Sequence, residues 1–166
     1  MLFIITNPHV HSTLLNEIAT SSISNPITDE EARKLPYLQA VIKEGLRILP
    51  PVTGLLPKEV PAGGVTLNGL YIPEETSIGW SVFGMMRDEK VWGRDARVFR
   101  PERWLKGPPK DIRKELDIDM VFGYGKWVCL GKTVAYMELN KIFVQVCDFL
   151  SATVSVNLRR TSNFGL

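Results

Sequence analysis

Between residues 122 and 131 the chain reads Phe122-Gly123-Tyr124-Gly125-Lys126-Trp127-Val128-Cys129-Leu130-Gly131. No other stretch restricts the fold as tightly. One cysteine stands among three glycines and three aromatic side chains, just ahead of a long apolar-periodic segment. The pattern places Cys129 at or just before a helix N-terminus, where free N–H groups and the positive end of the helix dipole favour a thiolate. Gly123, Gly125 and Gly131 permit positive φ and let the backbone approach something bulky and flat. A thiolate held in such a loop suits a soft metal centre.

Two rival readings of the loop fail on spacing. Gly131-Lys132-Thr133 mimics the end of a phosphate-binding loop, with Gly125 upstream. That motif needs four residues between its glycines and here there are five, so the converging N–H groups fall out of register. The stretch before it, Asp119-Met120-Val121-Phe122, is also a poor buried strand. A cysteine–histidine nucleophile would need His9 or His11, and no local hydrolase signature accompanies Cys129. Cys129 and Cys147 make no disulfide framework, and with the two histidines they lack zinc-finger spacing.

The 166 residues suit a single domain able to bury a sizeable core. A net charge of +2, with no Lys/Arg run, argues against nucleic acid as a partner. Met1 to Ile5 is apolar but is cut off by Asn7-Pro8, too short to span a bilayer and without the basic flank of a signal peptide. It reads as the tail of a helix whose body is absent.

Pro8, with Asn7 as cap, opens a helix running to about Thr20 with Leu14, Leu15 and Ile18 on its apolar side. Ser21 to Pro26 reads as a polar loop, and Thr28-Asp29-Glu30-Glu31 as a capping box starting a short helix. Leu35-Pro36 opens a helix to about Leu49, with Leu38, Val41, Ile42, Gly45 and Leu49 on one stripe. Glu44 and Arg47 are three apart and can touch; spacing alone reads as a surface ion pair worth about 0.3–0.5 kcal/mol. Pro50-Pro51 stops that helix, and Val52 to Leu56 is an apolar connector. Val65 to Tyr71 and Thr76 to Val82 read as short strands around the Asn68-Gly69 turn and the later Pro73-Glu74-Glu75 turn. Lys106 to Asp119 reads as a charged surface loop. After the cysteine loop, Ala135, Leu139, Ile142, Val146 and Phe149 repeat at helical spacing as core packing, with Cys147 an inert buried thiol. Val154-Ser155-Val156 reads as a last short strand, and Leu158 to Leu166 carries no signal.

The spacing Phe122-x-x-Gly125-x-x-x-Cys129-x-Gly131 resembles the haem-binding loop of the cytochrome P-450 haem-thiolate monooxygenases. Two further motifs resemble the same family, in its order. One is Leu35-Pro36-Tyr37-Leu38-Gln39-Ala40-Val41-Ile42-Lys43-Glu44-Gly45-Leu46-Arg47, similar to its Glu-x-x-Arg helix. The other is Phe99-Arg100-Pro101-Glu102-Arg103-Trp104, similar to Phe-x-Pro-Glu-Arg-Phe but with Trp in the last place. The resemblance implies a mainly α fold with small β elements, the incomplete C-terminal part of the cytochrome P-450 fold, forming a single partial domain over 1–166. Details of the Lys-Trp variant look fungal.

By the same resemblance, thiolate-ligated haem is the cofactor and Cys129 its axial iron ligand. Phe122, Gly123, Gly125, Trp127 and Gly131 would line it. The family usually has Arg two residues before the cysteine, paired to a haem propionate; Trp127 offers an indole N–H and no charge. Lys58 stands about where relatives carry an Arg that meets a propionate, keeping charge but not the planar fork. Val52, Thr53, Gly54 and Leu55 would face substrate. Glu44, Arg47 and Arg103 would form a buried charged cluster beside the haem loop, with Arg103 serving as the fork.

The implied activity is insertion of one oxygen atom of O2 into a small organic substrate, with electrons from a separate reductase. Lys126, Lys132 and Lys141 would meet an acidic reductase surface. The family's distal helix, with the acid and threonine that deliver protons to oxygen, would precede this chain. Its last hairpin, which touches substrate, would be missing after Asn157, and membrane contact would come only through segments absent here. Family members often sit at the endoplasmic reticulum membrane, but this chain carries no anchor of its own. The alternative is a truncated, non-catalytic remnant or binding module, since a half-walled pocket does not exclude water.

Overall fold

In a computed structural model, residues 1–105 and 118–162 are described, with side chains as far as residue 148. The chain forms two compact units. The first comprises Met1–Gly45, Phe99–Pro108 and Cys129–Leu166; the second comprises Leu46–Val98 and Pro109–Val128.

The first unit is helical. It contains α1 (Leu2–Ile5), α2 (Pro8–Thr20), α3 (Asp29–Arg33), most of α4 (Pro36–Ile48) and the long α7 (Lys132–Ser162). Val10, Leu14 and Ile18 lie four apart on α2 and are all buried. Leu38, Val41 and Ile42 of α4 are buried too, each such side chain contributing about 1.5–3 kcal/mol. Leu49 departs from the expected stripe: it falls beyond the end of α4 and is exposed.

The start of α4 is capped from a distance. Pro36 sets φ for its first turn, but the residue before it, Leu35, has no side-chain acceptor. Glu17 on α2 supplies one: its Oε1 accepts from the Tyr37 N–H at 2.7 Å and its Oε2 from the Leu38 N–H at 2.8 Å. A carboxylate at this end is favoured by the orphan N–H groups and by the dipole together. The Tyr37 hydroxyl donates to Glu102 at 2.7 Å. Burial first, and then that carboxylate, raise the Tyr37 phenol above its ordinary pKa. Asn7 is the N-cap of α2 but makes no capping bond. Its amide instead donates to the Phe3 carbonyl at 2.6 Å, because α1 ends just there with carbonyls in need of donors.

The capping box at α3 is present in full: the Thr28 hydroxyl accepts from the Glu31 N–H, and the Glu31 carboxylate accepts from the Thr28 N–H. The Ser24 hydroxyl, then the Thr28 N–H and hydroxyl, hold the Glu31 carboxyl down at about 2. A carboxylate whose folded pKa is depressed stabilises fully above its ordinary value of 4.5, and that contribution disappears as pH falls from there to about 2. An NMR carboxyl titration of Glu31 is expected to show a midpoint near 2 and, in Ser24→Ala, a rise toward 4.5. A wild-type midpoint at 4.5 would contradict the box.

The face of α7 differs from the expected stripe. Asn140, Val144 and Cys147 are buried, whereas Ile142 is exposed and Ala135, Leu139 and Val146 are half-buried. The rotation has a polar cause. Asn140 donates to Asp29 at 2.7 Å and accepts from Gln39 at 2.9 Å, so α3 and α4 draw the amide inside. That amide, and then Arg33, hold the Asp29 carboxyl below its ordinary range. Burial pushes the Cys147 thiol up, as an inert core thiol requires. The side chain of Phe149 lies outside the described residues. Val154 to Val156 is helical, not a strand. A strand there would need a partner ladder, while a helix already under way extends at little cost.

The second unit holds the last turn of α4, the small sheets and two short helices. β1 (Leu55–Glu59) pairs antiparallel with β4 (Ser77–Ser81), Leu56 opposite Trp80 and Lys58 opposite Ile78. Those four side chains share the half-buried face. β2 (Val65–Leu67) and β3 (Leu70–Ile72) form the expected hairpin on Asn68-Gly69, both at positive φ. The strand Leu55–Glu59 was not anticipated, because Pro57 and two charges break its pattern; a two-stranded ribbon tolerates them at its edge. α5 (Val82–Met85) and α6 (Glu89–Trp92) follow, capped by the Ser81 and Asp88 side chains. Residues 106–117, most of the expected charged loop, lie outside the described residues, and its last two, Ile118 and Asp119, begin a 3-10 turn over Ile118–Phe122.

Candidate functional site

The residues expected at the site fall into three sets, one around Glu44 in the first unit, one around Arg47 in the second, and the loop and cysteine of residues 122–131. In the first unit, Glu44 is completely buried and its carboxylate is densely served. Oε1 accepts from Arg103 Nε at 3.0 Å and from the Arg100 N–H at 2.8 Å. Oε2 accepts from Trp104 Nε1 at 2.9 Å. The Glu44 and Arg103 side chains are both fully withdrawn from water. Pro101–Trp104 is a 3-10 turn, which presents Arg103 and Trp104 together on the α4 side. The Trp104 bond was not anticipated. Its signal was the Trp standing where a Phe was expected, a ring that brings a donor with it. Phe99, at the start of the same motif, stacks on Phe3 with centroids 5.2 Å apart.

In the second unit, Arg47 is equally buried. Nη1 donates to the Met86 and Ala96 carbonyls at 2.7 and 2.6 Å, and Nη2 to the Val98 carbonyl at 3.1 Å. Its guanidinium also lies over the Trp92 ring, 5.2 Å from the centroid. Arg47 thus gathers carbonyls from one irregular segment, which needs the several fixed donors that only a guanidinium carries. Val52, Thr53, Gly54 and Leu55 are all exposed.

The loop before the cysteine is built from turns. The 3-10 turn Ile118–Phe122 ends at Gly123, whose N–H donates to the Met120 carbonyl at 3.1 Å. A second turn, Gly125–Trp127, follows. Gly123 has φ +82°, and a Cβ there would meet the Trp127 carbonyl oxygen at 2.7 Å. Gly125 has φ +61° with open space around it. Gly131, which could take a positive φ, does not do so. It is instead the residue whose carbonyl accepts the first bond of α7, from the Ala135 N–H at 2.9 Å, a position that needs no left-handed φ. Gly125→Ala is therefore expected to cost about 1–2 kcal/mol, the left-handed penalty alone. Gly123→Ala adds the backbone clash and should cost clearly more; equal melting temperatures for the two variants would refute this account of the loop.

Phe122 is half-buried, while Tyr124 and Trp127 are exposed. The Lys58 ammonium lies 4.3 Å from the Trp127 ring centre and that of Lys126 5.1 Å from it. In the first unit, Cys129 is a free, exposed thiol three residues ahead of α7, and its carbonyl accepts from the Lys132 N–H at 3.3 Å. Leu130 beside it is 99% exposed. Among the described residues no three His, Cys, Asp or Glu side chains converge as a metal site. With the described residues alone, Cys129 would serve as one ligand to an ion whose other ligands arrive with it. A porphyrin brings four nitrogens in a flat apolar disc, and an open sulfur flanked in sequence by exposed apolar side chains fits that donor set.

Comparison with known proteins points the same way. The family model "Cytochrome P450" matches residues 1–151. The chain is 45% identical over 152 residues to cytochrome P450 monooxygenase ABA1 of Pyricularia oryzae, covering 88% of this chain and 30% of that protein. It is 42% identical to cytochrome P450 monooxygenase abl1 of Leptosphaeria maculans, covering 92% and 28%. It is 34% identical to a pisatin demethylase of Fusarium vanettenii, covering 88% and 28%. The chain thus spans under a third of the length of these curated relatives.

Proposed function

This chain belongs to the cytochrome P450 family, and from that premise we propose that it is the thiolate-bearing portion of a haem monooxygenase acting on a small organic substrate. The observation that carries the reading is Cys129, an open thiol after a glycine-bent loop in a chain without any other metal-ligand cluster among its described residues. When bound, haem supplies the reductive splitting of dioxygen, with one atom entering the substrate and the other leaving as water.

The residues of this chain bind and orient. Cys129 would hold the iron through its sulfur. Phe122, Gly123, Gly125 and Trp127 shape the loop that precedes the cysteine in sequence, and Gly131 stands just ahead of α7 after it. Glu44 and Arg103, with Trp104, brace α4 in the first unit, and Arg47 braces the irregular segment from Met86 to Val98 in the second. The exposed Val52 to Leu55 segment faces substrate. A reductase supplies electrons, and Lys126, Lys132 and Lys141 offer cationic charge to an acidic surface of it.

The test is spectroscopic. The purified chain is mixed with haemin, reduced and exposed to carbon monoxide. A strongly red-shifted Soret band is the expected signature of thiolate ligation. An unshifted band, or no haem uptake, would leave the non-catalytic binding module as the better account.

A further inference from the structure

The helix that follows the cysteine offers the core two faces. Ala135, Leu139, Ile142 and Val146 make one that is wholly apolar, yet it stands half-buried to exposed. The buried one is made by Asn140, Val144 and Cys147. The two lie one position apart, about 100° of rotation. Apolar burial alone favours the first, since the second draws an amide out of water. The second prevails because that amide is met on both sides. Asn140 Nδ2 donates to Asp29 Oδ1 at 2.7 Å, and Asn140 Oδ1 accepts from Gln39 Nε2 at 2.9 Å. Both partners are themselves held: Asp29 Oδ2 accepts from Arg33 Nε at 2.7 Å, and Gln39 Nε2 also donates to the Ala32 carbonyl at 3.0 Å. Lys132, the first residue of α7, stands about 12 Å along the axis from Asn140. To that first turn the cysteine is tied. The Cys129 carbonyl accepts from the Lys132 N–H at 3.3 Å, and its Sγ lies 3.7 Å from where a Cβ on Gly131 would stand. Asp29, Gln39, Asn140 and Cys129 all belong to the first unit.

Resting on the haem reading above, we infer that Asn140 is a positioning residue for the thiolate: its amide, clamped between α3 and α4, fixes the rotational setting of α7 and with it the direction in which Cys129 is presented. A helix turns as one body, so a setting chosen at Asn140 is felt at the first turn. One buried polar side chain is enough to select among apolar registers, because the wrong register leaves its partners unmet. Here the rotated alternative would bury Ile142, strand the Asp29 and Gln39 groups and bring Cys147 toward water. The apolar pattern of α7 invites that alternative, and the amide excludes it.

The chain carries its own probe of the setting, since Cys147 lies on the buried face and Cys129 is open. The full chain without haem is treated with a thiol reagent, and each cysteine is followed separately by peptide mass. In the wild type Cys129 reacts quickly and Cys147 is protected. Asn140→Leu, which offers the core an apolar side chain instead, should keep a cooperative melt while Cys147 reacts about tenfold faster, the scale of one hydrogen bond to a charged group. Protection as in the wild type in a folded Asn140→Leu chain overturns the inference. Should Asn140→Leu not fold, a second pair decides. Asn140→Asp sets one carboxylate against another and should free Cys147; adding Asp29→Asn returns a donor and should restore protection. No restoration in the folded double variant overturns the inference. The same chains are then given haemin, reduced and exposed to carbon monoxide. Variants with a freed Cys147 should lose much of the red-shifted band to an unshifted one, and Asn140→Asp with Asp29→Asn should regain it. A full red-shifted band beside a freed Cys147 overturns the positioning role and leaves the haem reading standing. A wild type without that band overturns the haem reading, while the thiol rates still decide the setting of α7.

Discussion

Cys129→Ala is expected to abolish the red-shifted carbonyl band completely while leaving the fold in place. The side chain is exposed, so its removal opens no cavity, and the melting temperature without haem should move little. The effect on ligation is all or none, because no other cysteine can substitute: Cys147 is buried and its thiol is held protonated by that burial. Cys129→Ser separates coordination from shape. A hydroxyl keeps the size but not the soft, readily ionised donor, so residual haem binding without the red shift is the expected outcome. A red-shifted band surviving in Cys129→Ala would show that the axial ligand lies elsewhere.

Glu44→Ala should be the most damaging substitution in the first unit. Removing the carboxylate strands the buried Arg103 guanidinium, the Trp104 indole N–H and the Arg100 backbone N–H at once. Breaking one partner of a buried charge pair costs about 3–5 kcal/mol. At about 2–4 °C per kcal/mol for a chain of this size, thermal unfolding should fall by roughly 10 °C. Glu44→Gln keeps acceptor capacity without charge and should lose less. Pairing Glu44→Ala with Arg103→Met should recover part of the loss, because the stranded cation is gone. A Glu44→Ala chain that melts within a degree of wild type would mean that this network does not hold the unit together.

The sequence disclosed what is local. The apolar spacing of Leu14 and Ile18 on α2 and of Leu38, Val41 and Ile42 on α4, the Thr28 capping box and the Asn68-Gly69 turn are decided within a few residues, and each appears where its pattern places it. The cysteine loop was legible for the same reason, since its glycines and aromatics lie in one short stretch. What escaped was decided elsewhere in the chain. The face of α7 turned because Asp29 and Gln39, more than a hundred residues earlier, accept and donate to Asn140. The strand at Leu55–Glu59 exists because β4 lies beside it, not because its own residues favour extension. Even the Glu44 site held more than its spacing suggested, since Trp104 contributes a donor that no pairwise rule of helix charges foresees.

Glu17 has a practical consequence for anyone dividing or recombining this sequence. The helix bearing Glu44 has no anchor of its own at its beginning; a side chain twenty positions upstream, on another helix, supplies it. A crossover placed in the polar connection between the two helices would part the motif from its distant fastening even though every motif residue survived. Chimaeras joined ahead of Pro8 carry both pieces together, and those joined after Ser21 need an acidic side chain from the new parent in the same place.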